Sequence, residues 1–117
     1  MMIVEDEAPV RRTIRRVLER LGYTVIEARH AAEALRLGAE REWRVDAVLT
    51  DLVMPEMSGQ ELVAQLRALQ PGLPVLVMTG YTDKAIPEGV DAVLEKPFMA
   101  EVLARRLREV LEARRAR

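Results

Sequence analysis

The run Val45-Asp46-Ala47-Val48-Leu49-Thr50-Asp51, followed by Leu52-Val53-Met54-Pro55-Glu56-Met57-Ser58-Gly59, decides the fold. Six largely apolar, β-favouring positions read as a buried strand, and the Pro- and Gly-containing stretch after Asp51 cannot continue it. Asp51 therefore sits at the mouth of a strand. Three other apolar runs end the same way. Met1-Met2-Ile3-Val4 gives way to Glu5 and Asp6, Val75-Leu76-Val77-Met78 to Thr79, and Ala92-Val93-Leu94-Glu95 to Lys96 just before Pro97. In an open α/β sheet, ligands bind outside the carboxyl ends of the strands, so these side chains are expected to share one crevice.

Between the strands the apolar residues recur with helical period, which is the pattern of a parallel sheet flanked by helices. A first helix is expected to start near Pro9 and to bury Val10, Ile14, Val17, Leu18 and Leu21, with the arginines at 11, 12, 15 and 16 on other faces. Gly22 stops it, and Tyr23-Thr24-Val25-Ile26 reads as the second strand. A second helix covers about Ala31 to Arg41. The third, from Gly59, buries Leu62, Val63, Leu66 and Leu69 until Pro71-Gly72 breaks it, and Leu73 to Met78 forms the fourth strand. Only about a dozen residues, Pro87 and Gly89 among them, separate Thr79 from the fifth strand, near the lower limit for a crossover that carries a helix. The helix there must be short or irregular. The last helix, about Met99 to Ala113, buries Val102, Leu103, Leu107, Val110 and Leu111. The six methionines read as core or chain-start residues.

At 117 residues, half of them apolar and 32% charged with a formal net charge of -1, the chain reads as one globular domain over 1–117. It is not basic enough to seek nucleic acid. No apolar stretch approaches the roughly 18 residues of a membrane span, so it reads as a cytoplasmic domain without a leader. The absence of cysteine excludes disulfides, thiolate catalysis and zinc-thiolate sites. Nothing after Arg117 supplies an effector, which fits either a stand-alone domain or, preferably, a piece of a longer chain.

Clustered carboxylates repel one another, and a hard cation is the simplest way to hold Glu5, Asp6 and Asp51 together. Oxygen ligands without His or Cys favour Mg²⁺, which usually takes one or two protein carboxylates and leaves one acid free as a nucleophile. Asp51 is the best candidate for that nucleophile, forming an aspartyl phosphate while Lys96 supplies a cation and Thr79 a hydroxyl donor. Taken singly, the same residues have plainer readings: a turn or cap at Asp51, a helix start at Glu5-Asp6, a strand-end hydroxyl at Thr79 and a solvated charge at Lys96. Pro97 fixes the Lys96 backbone and suits a cis bond. His30, the one imidazole, reads as a surface or helix-start residue at the far end of the second strand from the site. Trp43 is expected under the end of the second helix, and the terminal arginines form a solvated helix end.

In combination these residues resemble the receiver domain of two-component response regulators. The resemblance rests on Ile3-Val4-Glu5-Asp6-Glu7, on Leu49 through Gly59, on Met78-Thr79-Gly80 and on Lys96-Pro97-Phe98, in family order along nearly the whole chain. It implies a single doubly wound, five-stranded parallel sheet in flavodoxin-like order 2-1-3-4-5. It also implies that Asp51 is the phosphoacceptor, Asp6 a direct Mg²⁺ ligand, Glu5 a ligand through water, and the Val53 carbonyl a further ligand, with Thr79 and Lys96 responding to the phosphoryl group. The phosphoryl donor would be a histidine kinase or histidine phosphotransfer domain. Such a module is not an enzyme on outside substrates, although it promotes its own phosphorylation and dephosphorylation. The stretch from Pro71 to Asp83 and the shortened path to Lys96 look most like receivers at the C-terminal end of hybrid sensor histidine kinases. A pseudo-receiver scaffold and an aspartyl-phosphate phosphohydrolase of the haloacid-dehalogenase type are the alternatives. The latter wants a second Asp two positions after the nucleophile, where this chain has Val53. A flavodoxin-like cofactor binder would want a Ser-, Thr- or Gly-rich phosphate loop after the first strand, and none is there.

One departure from the family pattern bears on output. Three positions before the lysine, where many receivers carry a mobile aromatic, stands Val93, which is β-branched, stiff and too small to swing between buried and exposed poses. Tyr81 is the nearby aromatic left to take over that role or to shield an acyl phosphate. A monomer is expected both before and after activation. Light scattering with and without beryllofluoride checks this, and a clear shift to a dimer on activation would refute it.

Overall fold

The fold is taken from a computed structural model, which describes residues 1–54, 56–80 and 86–115. Its elements run in the order β1 (Met2–Val4), α1 (Ala8–Arg20), β2 (Ile26–Ala28), α2 (Ala31–Glu40), β3 (Val48–Asp51), α3 (Gly59–Leu69), β4 (Val75–Thr79), β5 (Ala92–Glu95) and α4 (Ala100–Arg115). The strands form one parallel sheet in the order β2-β1-β3-β4-β5, as the resemblance implies.

Alternation along the strands divides the core in two, because successive side chains point to opposite faces of a sheet. Met2, Val4, Val48, Val75 and Val77 pack with Ala31 and Ala34 of α2 and with Leu62, Val63 and Leu66 of α3. Ile3, Leu49, Leu76, Met78 and Leu94 pack on the other face with Ile14 and Leu18 of α1 and with Leu103, Leu107 and Val110 of α4. Both faces are thus covered, which is why the central strands read as continuous apolar runs.

Several boundaries differ from the expectation. β2 begins at Ile26 rather than Tyr23, because Met2 pairs with Ile26 while the Tyr23 N–H still closes the end of α1 on the Leu18 carbonyl. Tyr23 and Val25 instead pack against the α1 and α4 core. Leu21 and Leu69, expected inside, are 46% and 54% exposed, since the buried stripes of their helices stop at Leu18 and Leu66. Met99 precedes α4 and is exposed, its carbonyl accepting from the N–H groups of Val102 and Leu103. β3 and β4 each start two or three residues later than the apolar runs do, with Val45, Ala47 and Leu73 buried just ahead of them.

No helix is found among the described residues between β4 and β5. An arginine holds that connection instead. Arg67 of α3 donates from Nε to the Gly89 carbonyl at 2.6 Å and from Nη2 to the Asp91 carboxylate at 2.7 Å, while its Nη1 reaches the carbonyls of Pro71 and Leu73. The same Asp91 oxygen accepts from the Val75 N–H at 2.8 Å, so the start of β4 and the approach to β5 are pinned to α3.

Trp43 lies against the end of α2, as expected. A Cβ added at Gly38 would fall 2.3 Å from the indole ring, and Glu42 and Trp43 take positive φ to bring the ring there. Gly38→Ala gains about 1 kcal/mol of helix propensity but must displace a half-buried aromatic, an overpacking cost of roughly 1–3 kcal/mol. The overlap outweighs the propensity, so urea denaturation followed by circular dichroism is expected to show a net loss of about 1 kcal/mol.

Candidate functional site

The parallel topology brings the strand-end residues to one edge. Glu5 and Asp6 follow β1, Asp51 closes β3, Thr79 closes β4 and Lys96 follows β5. β1 and β3 are neighbours in the sheet, as are β3 and β4, and β4 and β5. The Lys96 N–H donates to the Thr79 carbonyl at 2.8 Å, which sets the lysine where its side chain turns back over the sheet edge. The Lys96–Pro97 peptide is cis.

Glu5 is fully buried, Asp51 is 6% exposed and Thr79 2% exposed, whereas Asp6 opens to solvent. The Lys96 ammonium bridges the two buried acids, donating to Glu5 Oε2 at 2.9 Å and to Asp51 Oδ2 at 3.0 Å. The other Asp51 oxygen accepts from the Val53 N–H at 3.2 Å, and Glu5 Oε1 from the Glu7 N–H at 3.3 Å. Both oxygens of Glu5 and both of Asp51 therefore have a donor, the condition for burying such groups at all.

The loop after Asp51 folds back tightly on the strand. The Gly59 N–H donates to the Leu52 carbonyl at 3.0 Å, and a Cβ at Gly59 would lie 2.3 Å from the Asp51 carbonyl oxygen, so no larger residue fits. Ser58 then caps α3, its hydroxyl accepting from the Glu61 N–H at 3.2 Å in the Ser-x-x-Glu arrangement. Among the described residues, oxygens of Glu5, Asp6 and Asp51 form the group suited to a metal ion, all within 4.8 Å of one another. Three carboxylates against one ammonium leave a charge of -2 when all are ionised, which a divalent cation balances. The all-oxygen donor set suits Mg²⁺.

Burial pushes the Glu5 carboxyl up to about 7, with the Asp51 charge adding to the rise and the Lys96 hydrogen bond opposing it. Burial works to lower the Lys96 ammonium, but the hydrogen bonds to Glu5 and Asp51 together outweigh it and its pKa is raised. An acid so displaced releases its proton as a cation binds, so metal affinity is linked to pH.

Glu5, Asp6, Asp51 and Lys96 thus meet as expected, Thr79 and Val53 flank them, and Tyr81 falls outside the described residues. His30 needs a correction. β2 is parallel to β1, so His30 follows its carboxyl end on the site's own edge, where Nδ1 caps α2 by accepting from the Glu33 N–H at 3.1 Å. Sequence reasoning also left Arg11 among the outward arginines of α1. It is 12% exposed, and its Nη1 donates to the Glu5 carbonyl at 2.8 Å.

This chain belongs to the response regulator receiver domains, whose family model matches residues 1–108. It is 38% identical to the sensor kinase CckA of Brucella abortus (strain 2308), over 96% of this chain and 12% of that protein. It is also 38% identical to the response regulator MprA of Mycobacterium sp. (strain KMS), over 95% of this chain and 50% of that one. The chain therefore spans half or less of these two relatives. Among solved structures, a response regulator receiver domain protein from Clostridium thermocellum superposes with a TM-score of 0.91 at 28% identity, covering 98% of this chain and 95% of that one. The receiver domain from the hybrid histidine kinase CckA superposes with a TM-score of 0.82 at 34% identity, covering 94% and 96%. Receiver domains serve two-component phosphoacceptor signalling and bind Mg²⁺ at an acidic pocket, and the Glu5, Asp6 and Asp51 cluster offers one.

The raised pKa of Glu5 makes a testable link to stability. Its folded value lies above its unfolded value, so its contribution is fully present below about pH 4.5 and is lost as the pH rises through about 7. In metal-free protein, Glu5→Gln removes this dependence. Urea denaturation at pH 5 and pH 8 should show the variant gaining on the parent at the higher pH, by on the order of 2 kcal/mol. An equal difference at both pH values would contradict the displaced titration.

Proposed function

We propose that residues 1–117 act as the phosphoacceptor module of a two-component phosphorelay, with Asp51 receiving the phosphoryl group from a phosphohistidine. The observation that carries this reading is the setting of the Asp51 carboxylate. It is buried at the end of β3, held by Val53 N–H and Lys96, and set beside two further acids. A carboxylate oxygen of Asp51 attacks the phosphorus, the P–N bond to the imidazole breaks, and its electron pair leaves with the ring nitrogen. No general base is needed, because a carboxylate nucleophile carries no proton to remove, and positioning with charge compensation does the rest.

Asp6 and Asp51 would hold Mg²⁺ directly, Glu5 through a water, and the Val53 backbone carbonyl as a further ligand. When bound, the ion supplies positive charge to the phosphoryl oxygens. Lys96 moves its hydrogen bond from the Asp51 carboxylate to the phosphoryl group that replaces its negative charge, and Thr79 donates its hydroxyl to the same group. The partner is a histidine kinase or histidine phosphotransfer domain, met in the cytoplasm by a monomeric receiver. No described helix is long and apolar enough to cross a membrane. The module also promotes the hydrolysis of its own aspartyl phosphate.

Incubation with Mg²⁺ and acetyl phosphate, followed by mass spectrometry, is expected to show a single labile phosphoryl adduct. Asp51→Asn should abolish it, and so should excess EDTA, since the acid cluster repels an incoming phosphate that has no cation to meet. Undiminished labelling in EDTA would sink the metal requirement. A persistent adduct in Asp51→Asn would remove the assignment of the acceptor.

A further inference from the structure

Arg11 carries an arrangement that the phosphoryl chemistry does not account for. It is one of five arginines of α1, yet its side chain is only 12% exposed. Its Nη1 donates to the backbone carbonyl of Glu5 at 2.8 Å, and its Nε lies 3.4 Å from Oε1 of Glu27 on β2, which is 24% exposed. Those two facing atoms, Arg11 Nε and Glu27 Oε1, are buried and paired by charge without a hydrogen bond. Glu27 is in turn fixed from the other side by Arg15, whose Nη1 donates to Oε2 at 2.7 Å. A guanidinium is thus held by a neighbouring strand so that one arm meets a single main-chain oxygen.

That oxygen belongs to the peptide joining Glu5 to Asp6. The peptide is planar, so fixing its carbonyl fixes its N–H and the direction from which the Asp6 Cα departs. The Glu5 N–H is already tied to the Ala28 carbonyl at 3.1 Å, extending the β1–β2 ladder by one bond. Glu5 is therefore held on the main chain by β2 and Arg11, and on the side chain by Glu7 N–H and Lys96. Among the described residues the Asp6 side chain has no such tethers, and it is exposed. Its aim toward the acid cluster depends on the peptide before it.

We propose that Arg11 is a positioning residue for metal binding, which orients the Glu5–Asp6 peptide and is itself aligned by Glu27. The inference rests on the proposed Mg²⁺ site at Glu5, Asp6 and Asp51. Groups one step outside a metal site typically change affinity by about 10–100-fold when removed, because the ligands lose their preset direction. Lysine cannot replace the arginine fully, since one ammonium does not reach the carbonyl and the carboxylate in a fixed fork.

Isothermal titration of the purified chain with Mg²⁺, together with thermal unfolding of the metal-free protein, tests this. Arg11→Ala is expected to raise the Mg²⁺ dissociation constant about tenfold or more, and Arg11→Lys by less. Glu27→Gln keeps the arginine but loosens it, and should weaken binding in the same direction. A purely architectural arginine would lower the metal-free melting temperature and leave the dissociation constant within about twofold of the parent, and that result for Arg11→Ala overturns the proposal. If Arg11→Ala fails to fold, Glu27→Gln decides: unchanged Mg²⁺ affinity overturns the proposal, and weakened affinity with intact folding supports it. A parent protein that binds no Mg²⁺ overturns the site reading and this inference together, whereas a binding parent matched by Arg11→Ala overturns this inference alone.

Discussion

The Lys96 ammonium, held between Glu5 at 2.9 Å and Asp51 at 3.0 Å, is the contact on which the rest of the site depends. Two carboxylates with oxygens within 4.8 Å of each other repel by roughly 3 kcal/mol at an effective dielectric of about 20, and both of these are buried. The ammonium offsets that repulsion and joins the chain after β5 to the ends of β1 and β3, across a sheet whose intervening strand is β4. A single positive charge is insufficient for three acids. The remaining excess of negative charge adds to the rise that burial imposes on the Glu5 pKa and underlies the affinity expected for a divalent ion. Under the proposed transfer, the attraction that holds Lys96 would move outward with the phosphoryl oxygens of the acyl phosphate.

The fold serves this contact by placing all of its members at the same sheet edge. Parallel strands bring their carboxyl ends together, and the two-sided core leaves those ends as the place where polar side chains meet. The loop after Asp51 shows how close the tolerance is. With Gly59 packed against the Asp51 carbonyl, α3 starts almost on top of the strand that precedes it, so Asp51 sits between a strand end and a capped helix start.

Much of this was legible in the sequence, because the chemistry and the fold use the same signal. Each of β1, β3, β4 and β5 is an apolar run ended by a polar residue, and that pattern marks a strand and a site at once. β2 lacks the signal. Tyr23-Thr24-Val25 has a stronger strand composition than Glu27-Ala28, but the register with β1 selects the weaker segment, a tertiary choice that local propensity does not record. His30 follows the carboxyl end of β2 wherever that strand begins, and it is the parallel pairing with β1 that puts it on the site's edge. Arg11 was hidden among look-alike neighbours. Helical spacing separates Arg11 and Arg15 from Arg12 and Arg16, but only the carboxylate at Glu27 on the adjoining strand distinguishes the pair that it holds from the other.

Trp43, stacked on Gly38 at the end of α2, carries a consequence for optical work on this protein. It is the single tryptophan of the chain, and it follows the carboxyl end of a helix whose amino end lies on the sheet edge that carries the site. The ring lies over Gly38, so about 10 Å of helix separates it from the amino end of α2 at Ala31. Its emission is sensitive to the integrity of the α2 terminus and to global unfolding, and is set apart from events at the carboxylates. A chromophore that follows metal or phosphoryl binding has to be introduced on the loops beyond β1, β3 or β4, with the native indole serving as an internal standard for the folded state.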